Sequence, residues 1–295
     1  MEFPYQGEVY SVLCAVLWAF AVVLFRRSGD HLPPMALNLL KCAASSLLFF
    51  PTLWIAGIGF WPEVAASDLL LLTASGLIGI TLADTLFLKS LNLLGAGLSQ
   101  VIGCLYSPFV IFFSLLFLDE SLAPWDVVGT VLILAGVLLT VERNPQEEIA
   151  SRRTEGILIG AAAFAFMALG VVLAKPALGR TSLLWASGFR LVTATIGLAV
   201  LLPLFPRGRR SFAYLRPSPA WKTALLASFV GTYLAMIVWL AGVKYTTASV
   251  ASILNQTSAV FVLPFAAVIL KEPVTARHLI ALSLALSGVV LVTLL

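Results

Sequence analysis

Two cations stand where an apolar chain tolerates them least. Lys41 lies in LNLLKCAASSLLFF and Arg190 in WASGFRLVTATIGL, each well inside a long apolar run. At about 1.5 Å per helical residue, eight residues put each roughly 12 Å from its helix start, too deep for easy snorkelling. A cation at that depth faces a bundle interior or a wet cavity, and marks a pathway or a partner. The chemistry open to such a pair is reception of a carboxylate or a phosphate. The competing reading is neutralisation by Asp84, in GLIGITLADTLFLKSL, the acid placed well inside an apolar run. Asp84 could instead couple proton movement to solute movement, or neutralise Lys89.

Other side chains could complete such a site. Asn38 precedes Lys41 by three residues and so shares its helix face. Asn255, Gln256 and Thr257 are adjacent in a later run, and buried amides are costly unless bonded. They would line a polar cavity or tie helices together, and Asn255 and Thr257 cannot share one helix face closely. Trp18, Tyr106, Tyr233 and Trp239 could wall a metabolite, with packing or an interfacial belt as the competing role of each.

The elements that must hold these residues follow from composition. Of 295 residues, 60% are hydrophobic and 11% charged, with a mean hydropathy of +1.03. A soluble domain carries roughly 25% charged residues. Continuous apolar runs of about 20 residues indicate helices that satisfy their own backbone in lipid, not barrel strands. The expectation is an all-α polytopic membrane protein, integral to a bacterial plasma membrane. Ten transmembrane helices can be drawn, near 9–25, 33–55, 67–88, 97–118, 124–142, 155–174, 182–205, 219–243, 248–269 and 276–295. The first run starts without a basic n-region and reads as a span rather than a cleavable signal. Cys14, Cys42 and Cys104 all fall in apolar segments and read as packed thiols, not a disulfide framework. The net charge of +4 sits mostly in short loops, so no nucleic-acid partner is implied.

The chain also repeats itself. Sliding it by 152 residues lays Gly79 on Gly231, Glu120 on Glu272 and Gly136 on Gly288, and lays Asp84 on Met236. Sliding it by 149 lays Arg26 on Lys175 and Lys41 on Arg190. The polar stretch ERNPQEEIASRRTE lies between the copies, giving a first repeat over 1–145, a linker over 146–154 and a second repeat over 155–295. Five spans per copy is an odd number, so the two five-helix repeats must be inverted relative to each other. That arrangement is a transporter signature, with the binding site near the midplane. Scaffolds and membrane enzymes also arise by duplication.

Each copy has the same punctuation, LDES at Leu118–Ser121 and LKEP at Leu270–Pro273. Glu120 and Glu272 would occupy the turns joining the last two spans of each copy, capping the following helix, with Pro273 starting it. These read as hairpin fasteners. With the Trp18 stretch AVLWAFAVVLFR and with KYTTASVASILNQTSAVFVLPFA, they make the chain resemble the EamA family of the drug/metabolite transporter superfamily. The resemblance covers essentially the whole chain. Asp119 and Lys271 depart from it, standing where a glycine is usual before the turn glutamate.

The resemblance implies a carrier of small metabolites, an exporter of amino acids or related compounds, working by alternating access. It equally allows exchange of phosphorylated sugars or nucleotide-sugars. A membrane enzyme or assembly subunit would need an acid, base or metal cluster. No HExxH, CxxC pair or Walker sequence occurs, and the only histidines, His31 and His278, fall near span ends. Neither cofactor nor metal nor ATPase subunit is expected, and the chain reads as no enzyme. The partners implied are a small-molecule substrate and the lipid bilayer; the oligomeric state is open. Orientation is open too. Loop cations gather on the face that carries Arg26, Lys89, Arg152 and Arg209, against Lys175, Arg180 and Lys244 on the other. The positive-inside rule then puts both termini outside, whereas the family resemblance implies cytoplasmic termini.

Overall fold

A computed structural model describes residues 5–118, 147–204, 206–255, 257–272 and 275–294, with isolated positions between 125 and 135. Among these residues every regular element is helical. They are α1 (Gln6–Ser28), α2 (Pro34–Ile55), α3 (Ala66–Gly76), α4 (Ala83–Gly103), α5 (Tyr106–Phe117), α6 (Glu147–Arg180) and α7 (Leu183–Leu201). Beyond them come the short α8 (Pro206–Ser211), α9 (Ala220–Ala227), α10 (Ala235–Tyr245), α11 (Ala248–Asn255), α12 (Ser258–Phe265) and α13 (Ala276–Leu294). Six continuous helical stretches of the described residues are long and apolar enough to cross a bilayer. The expected fifth span lies largely outside the described residues, as do Glu120, Gln256 and Pro273.

Two wider turns join helices into longer rods. Leu77–Leu82 links α3 to α4 and Ser228–Leu234 links α9 to α10, both as π-helix. Gly79 and Gly231, already paired by the 152-residue offset, lie one in each. A π segment shifts the side-chain register and leaves carbonyls without their usual donors, which is why such segments often occur at functional sites.

The expected span boundaries need correction in one region. The helix beginning at Ala66 does not stop near residue 88. It runs on to Gly103, interrupted only at Gly95, whose φ of 80° and ψ of 172° turn the chain by a route open to glycine. The expected span 97–118 is broken at Cys104–Leu105. Pro108 has no N–H to give the Cys104 carbonyl, so α5 has to start afresh. The expected span 248–269 breaks between Asn255 and Ser258. There the Thr257 hydroxyl bonds the Leu254 carbonyl at 2.7 Å, a local alternative to continuing the helix.

The two halves interdigitate rather than abut. α4 packs along α6, α1 along α10, and α2 along α7. One close crossing puts Gly170 of α6 on Gly79; a Cβ on Gly170 would come within 2.5 Å of the Gly79 Cα. Small residues are what let helices approach so far in lipid, where burial of apolar surface gives no drive. Contacts also sort the ends of the rods into two faces. On one, Asn92 bonds Gly29 and Lys89 pairs with Glu155. On the other, Thr246 bonds Glu8, Lys175 bonds the Val243 and Thr246 carbonyls, and Arg180 pairs with Asp68.

Candidate central site

Between the halves lies a cavity of about 130 Å³. Its wall takes Trp18 from α1, Lys41 from α2, Asp84 from α4 and Arg190 from α7, with Gly79 and Thr232 from the two π segments. Tyr106, Trp239, Asn255, Phe164, Met236 and Gln100 also line it. Of the residues singled out in the sequence, it unites Lys41, Arg190, Asp84, Trp18, Tyr106, Trp239 and Asn255. It leaves out Asn38 and Tyr233.

Lys41 is 2% exposed and Asp84 9%, and the ammonium is hydrogen-bonded to the Asp84 carboxylate. The Phe25 ring lies beneath it, 5.8 Å from Nζ to centroid. Desolvating one charge without the other would cost several kcal/mol, so the pair stands or falls together. Lys41 is therefore a neutralised cation.

Arg190 is not. It is 4% exposed, and its Nε donates to Ser75 Oγ at 2.8 Å while Nη1 meets Met236 Sδ at 3.5 Å. Among the described residues no carboxylate lies within ion-pair distance of it. Ser75 is in turn committed, donating to the Gly170 carbonyl. Nη2 lies beside Gly79, at ordinary van der Waals distance from where a Cβ there would sit (3.7 Å). A thioether cannot neutralise a guanidinium, so the planar donor fork keeps its capacity for an oxyanion.

Among the described residues two further polar atoms on the wall are buried without a hydrogen-bond partner, Thr232 Oγ1 and Asn255 Oδ1. Buried polar groups are normally satisfied, and one that is not asks for an explanation such as a ligand. Gln100 Oε1 accepts from Ser258 Oγ at 3.4 Å, linking α4 to α12 beside them. The aromatic walls are braced in pairs: Trp18 on Phe87 at 5.7 Å, Phe87 on Phe164 at 5.6 Å, and Tyr106 on Trp239 at 6.0 Å.

The two residues left out have other work. Asn38 spends its amide on the Ile80 and Thr81 carbonyls at 3.1 and 3.3 Å and on Thr85 Oγ1 at 2.8 Å, supplying donors to the first π segment and its exit. Tyr233 points away from the cavity, its hydroxyl 2.5 Å from Thr52 Oγ1 and its ring against Phe49 and Phe229. Glu272 reaches into the other half: its two carboxylate oxygens accept from the Ala96 and Gly97 amides at 3.0 and 3.1 Å. Sequence reasoning passed over Ser75, Thr232 and Phe164, which carry no charge to mark them.

A larger crevice of about 830 Å³ runs between α2, α3 and α7. Its walls are apolar apart from hydroxyls such as Ser46, Thr73 and Thr193, with no charged side chain among them.

A family model described as the EamA-like transporter family matches the chain twice, at residues 6–142 and 154–294. Among curated proteins the chain is similar to two uncharacterized transporters of Bacillus subtilis (strain 168). It is 31% identical to YetK over 45% of this chain and 39% of that protein. It is 28% identical to YvbV over 74% of this chain and 70% of that protein. The chain thus spans well under half the length of YetK in that match. A solved protein crystal structure superposes with a TM-score of 0.75 at 20% identity, over 98% of this chain and 96% of that one, a likeness of fold.

Proposed function

The chain belongs to the EamA-like transporter family, and from that premise we propose that it is a secondary carrier exporting a small carboxylate-bearing metabolite, such as an amino acid. It works by alternating access between two inverted five-helix repeats. One observation carries the reading: Arg190 is buried in the cavity wall with no ion-paired acid among the described residues, while its neighbour Lys41 already has one. A carboxylate entering the cavity would make the charge-assisted, bidentate contact that Arg190 lacks. Thr232 and Asn255 offer the same solute hydrogen-bonding capacity.

Size supports a compact solute. A cavity of about 150 Å³ accommodates benzene, and 130 Å³ is of that order. A nucleotide-sugar is several times too large for it, so the exchange reading gains nothing from the site. Inversion has support of its own. The run Ala96–Gly103 enters from the face of Asn92 and Gly29, whereas its counterpart α11 enters from the face of Thr246 and Glu8. Both end at the cavity, as discontinuous helices of carriers do. Export itself follows the family resemblance.

The test is uptake of labelled α-amino acids and monocarboxylates into proteoliposomes. Arg190→Met, which leaves no buried acid behind, is expected to lower transport by about 100-fold while the protein still folds. Undiminished transport of the same solute by that variant would end the assignment.

A further inference from the structure

Glu272 bridges residues 175 and 176 positions apart, from the second half to the first. The amides it receives, Ala96 and Gly97, open the helical run that follows the Gly95 turn. The first amides of a helix have no partner within it and carry its positive end, so a carboxylate there is doubly favoured. Both sides of the contact are shaped for it. Lys271 takes a left-handed φ of 58° that ends the preceding π segment, and the Glu272 amide bonds back to the Ala266 carbonyl at 3.3 Å. Gly95 has no side chain; a Cβ there would lie 3.0 Å from Glu272 Oε1. The run Ala96–Gly103 is about 12 Å long, and its far end places Gln100 and Gly103 on the cavity wall. The Cys104–Leu105 break then frees it from α5.

We propose that Glu272 is a latch: its carboxylate holds the Ala96–Gly103 segment against the second half, and its release opens the cavity toward the face that carries Asn92, Lys89 and Arg26. The proposal rests on the alternating-access reading above and adds which contact closes one side. Glu272 touches no substrate and acts through the segment it positions. It is half-buried, so water can take over the carboxylate as the amides leave. Two bonds from one side chain break together, which suits a switch between two discrete arrangements.

The native thiols provide the readout. Of the three cysteines, Cys14 lines the cavity, while Cys42 and Cys104 are fully buried away from it. In a Cys42→Ala, Cys104→Ala background, a membrane-impermeant methanethiosulfonate is applied to vesicles of either orientation, and Cys14 modification is timed. Glu272→Ala is expected to speed modification by about tenfold or more from the Lys89 face alone, since two charge-assisted hydrogen bonds are lost. Glu272→Gln, which keeps an acceptor oxygen without the charge, falls between. Parent rates from both faces overturn the latch, and so does an equal rise on both. Should Glu272→Ala fail to reach the membrane, Glu272→Gln carries the comparison, and an unchanged rate for it overturns the proposal. No substrate is needed, so the labelling reports the latch whether or not Arg190 binds a carboxylate. Failure of the latch and failure of the substrate reading therefore register separately.

Discussion

The two halves of this chain each place a cation in a corresponding setting and then treat it differently. In the first half Lys41 meets Asp84. In the second, Arg190 meets Met236, the residue the 152-residue offset lays on Asp84. The scaffolding around them is shared. Each cation's helix packs on the π segment of the other half, and a hydrogen bond ties each π segment to that helix. Thr81 donates to the Ala194 carbonyl at 3.2 Å, and Tyr233, its counterpart, meets Thr52. Duplication thus preserved the geometry of a charge pair and kept the acid in one copy only. One cation is paired within the structure; the proposed function assigns the other to a ligand.

The comparison is broken most forcefully at Asp84. Asp84→Ala strands the Lys41 ammonium among buried neighbours, a loss of roughly 3–5 kcal/mol. Denaturation in detergent should show it as a large fall in melting temperature, and Lys41→Met combined with Asp84→Leu should recover most of it. If the single variant melts like the parent, the pair does not bear on folding as described. A milder probe is Tyr233→Phe. Losing the hydroxyl contact to Thr52 should cost about 1 kcal/mol and leave solute affinity unchanged, because Tyr233 faces away from the cavity. A change in affinity without a change in stability would put Tyr233 back among the ligand contacts.

Charge was what the sequence displayed best. Lys41, Arg190 and Asp84 stood out because water-seeking groups in an apolar run must be held by something, and the two repeats could be found because glycines and glutamates recur at one offset. Local and non-local geometry was harder to see. The break before Tyr106 follows from a missing amide at Pro108, which read only as one more residue in an oily run. Asn38 shared a face with Lys41, yet the carbonyls that claim it belong to a π segment, and no hydrophobic period marks one. Glu272 was recognised as a turn acid. Its partners are amides in the other half, and backbone amides carry no sequence label. Thr232 gave no signal because a hydroxyl in a membrane helix ordinarily bonds its own backbone.

Arg190 has no acid among the described residues, and completing the second pair shows whether a ligand fills that place. Met236→Asp would give Arg190 the partner that Lys41 already has, while Met236→Leu changes packing alone. The measurement is the thermal shift of purified protein with the α-amino acid or monocarboxylate that stabilises the parent, read at equal ligand concentrations. The account expects Met236→Leu to keep the shift and Met236→Asp to lose it, with the ligand-free protein no less stable. A Met236→Asp protein that binds the same ligand as tightly as the parent would contradict it.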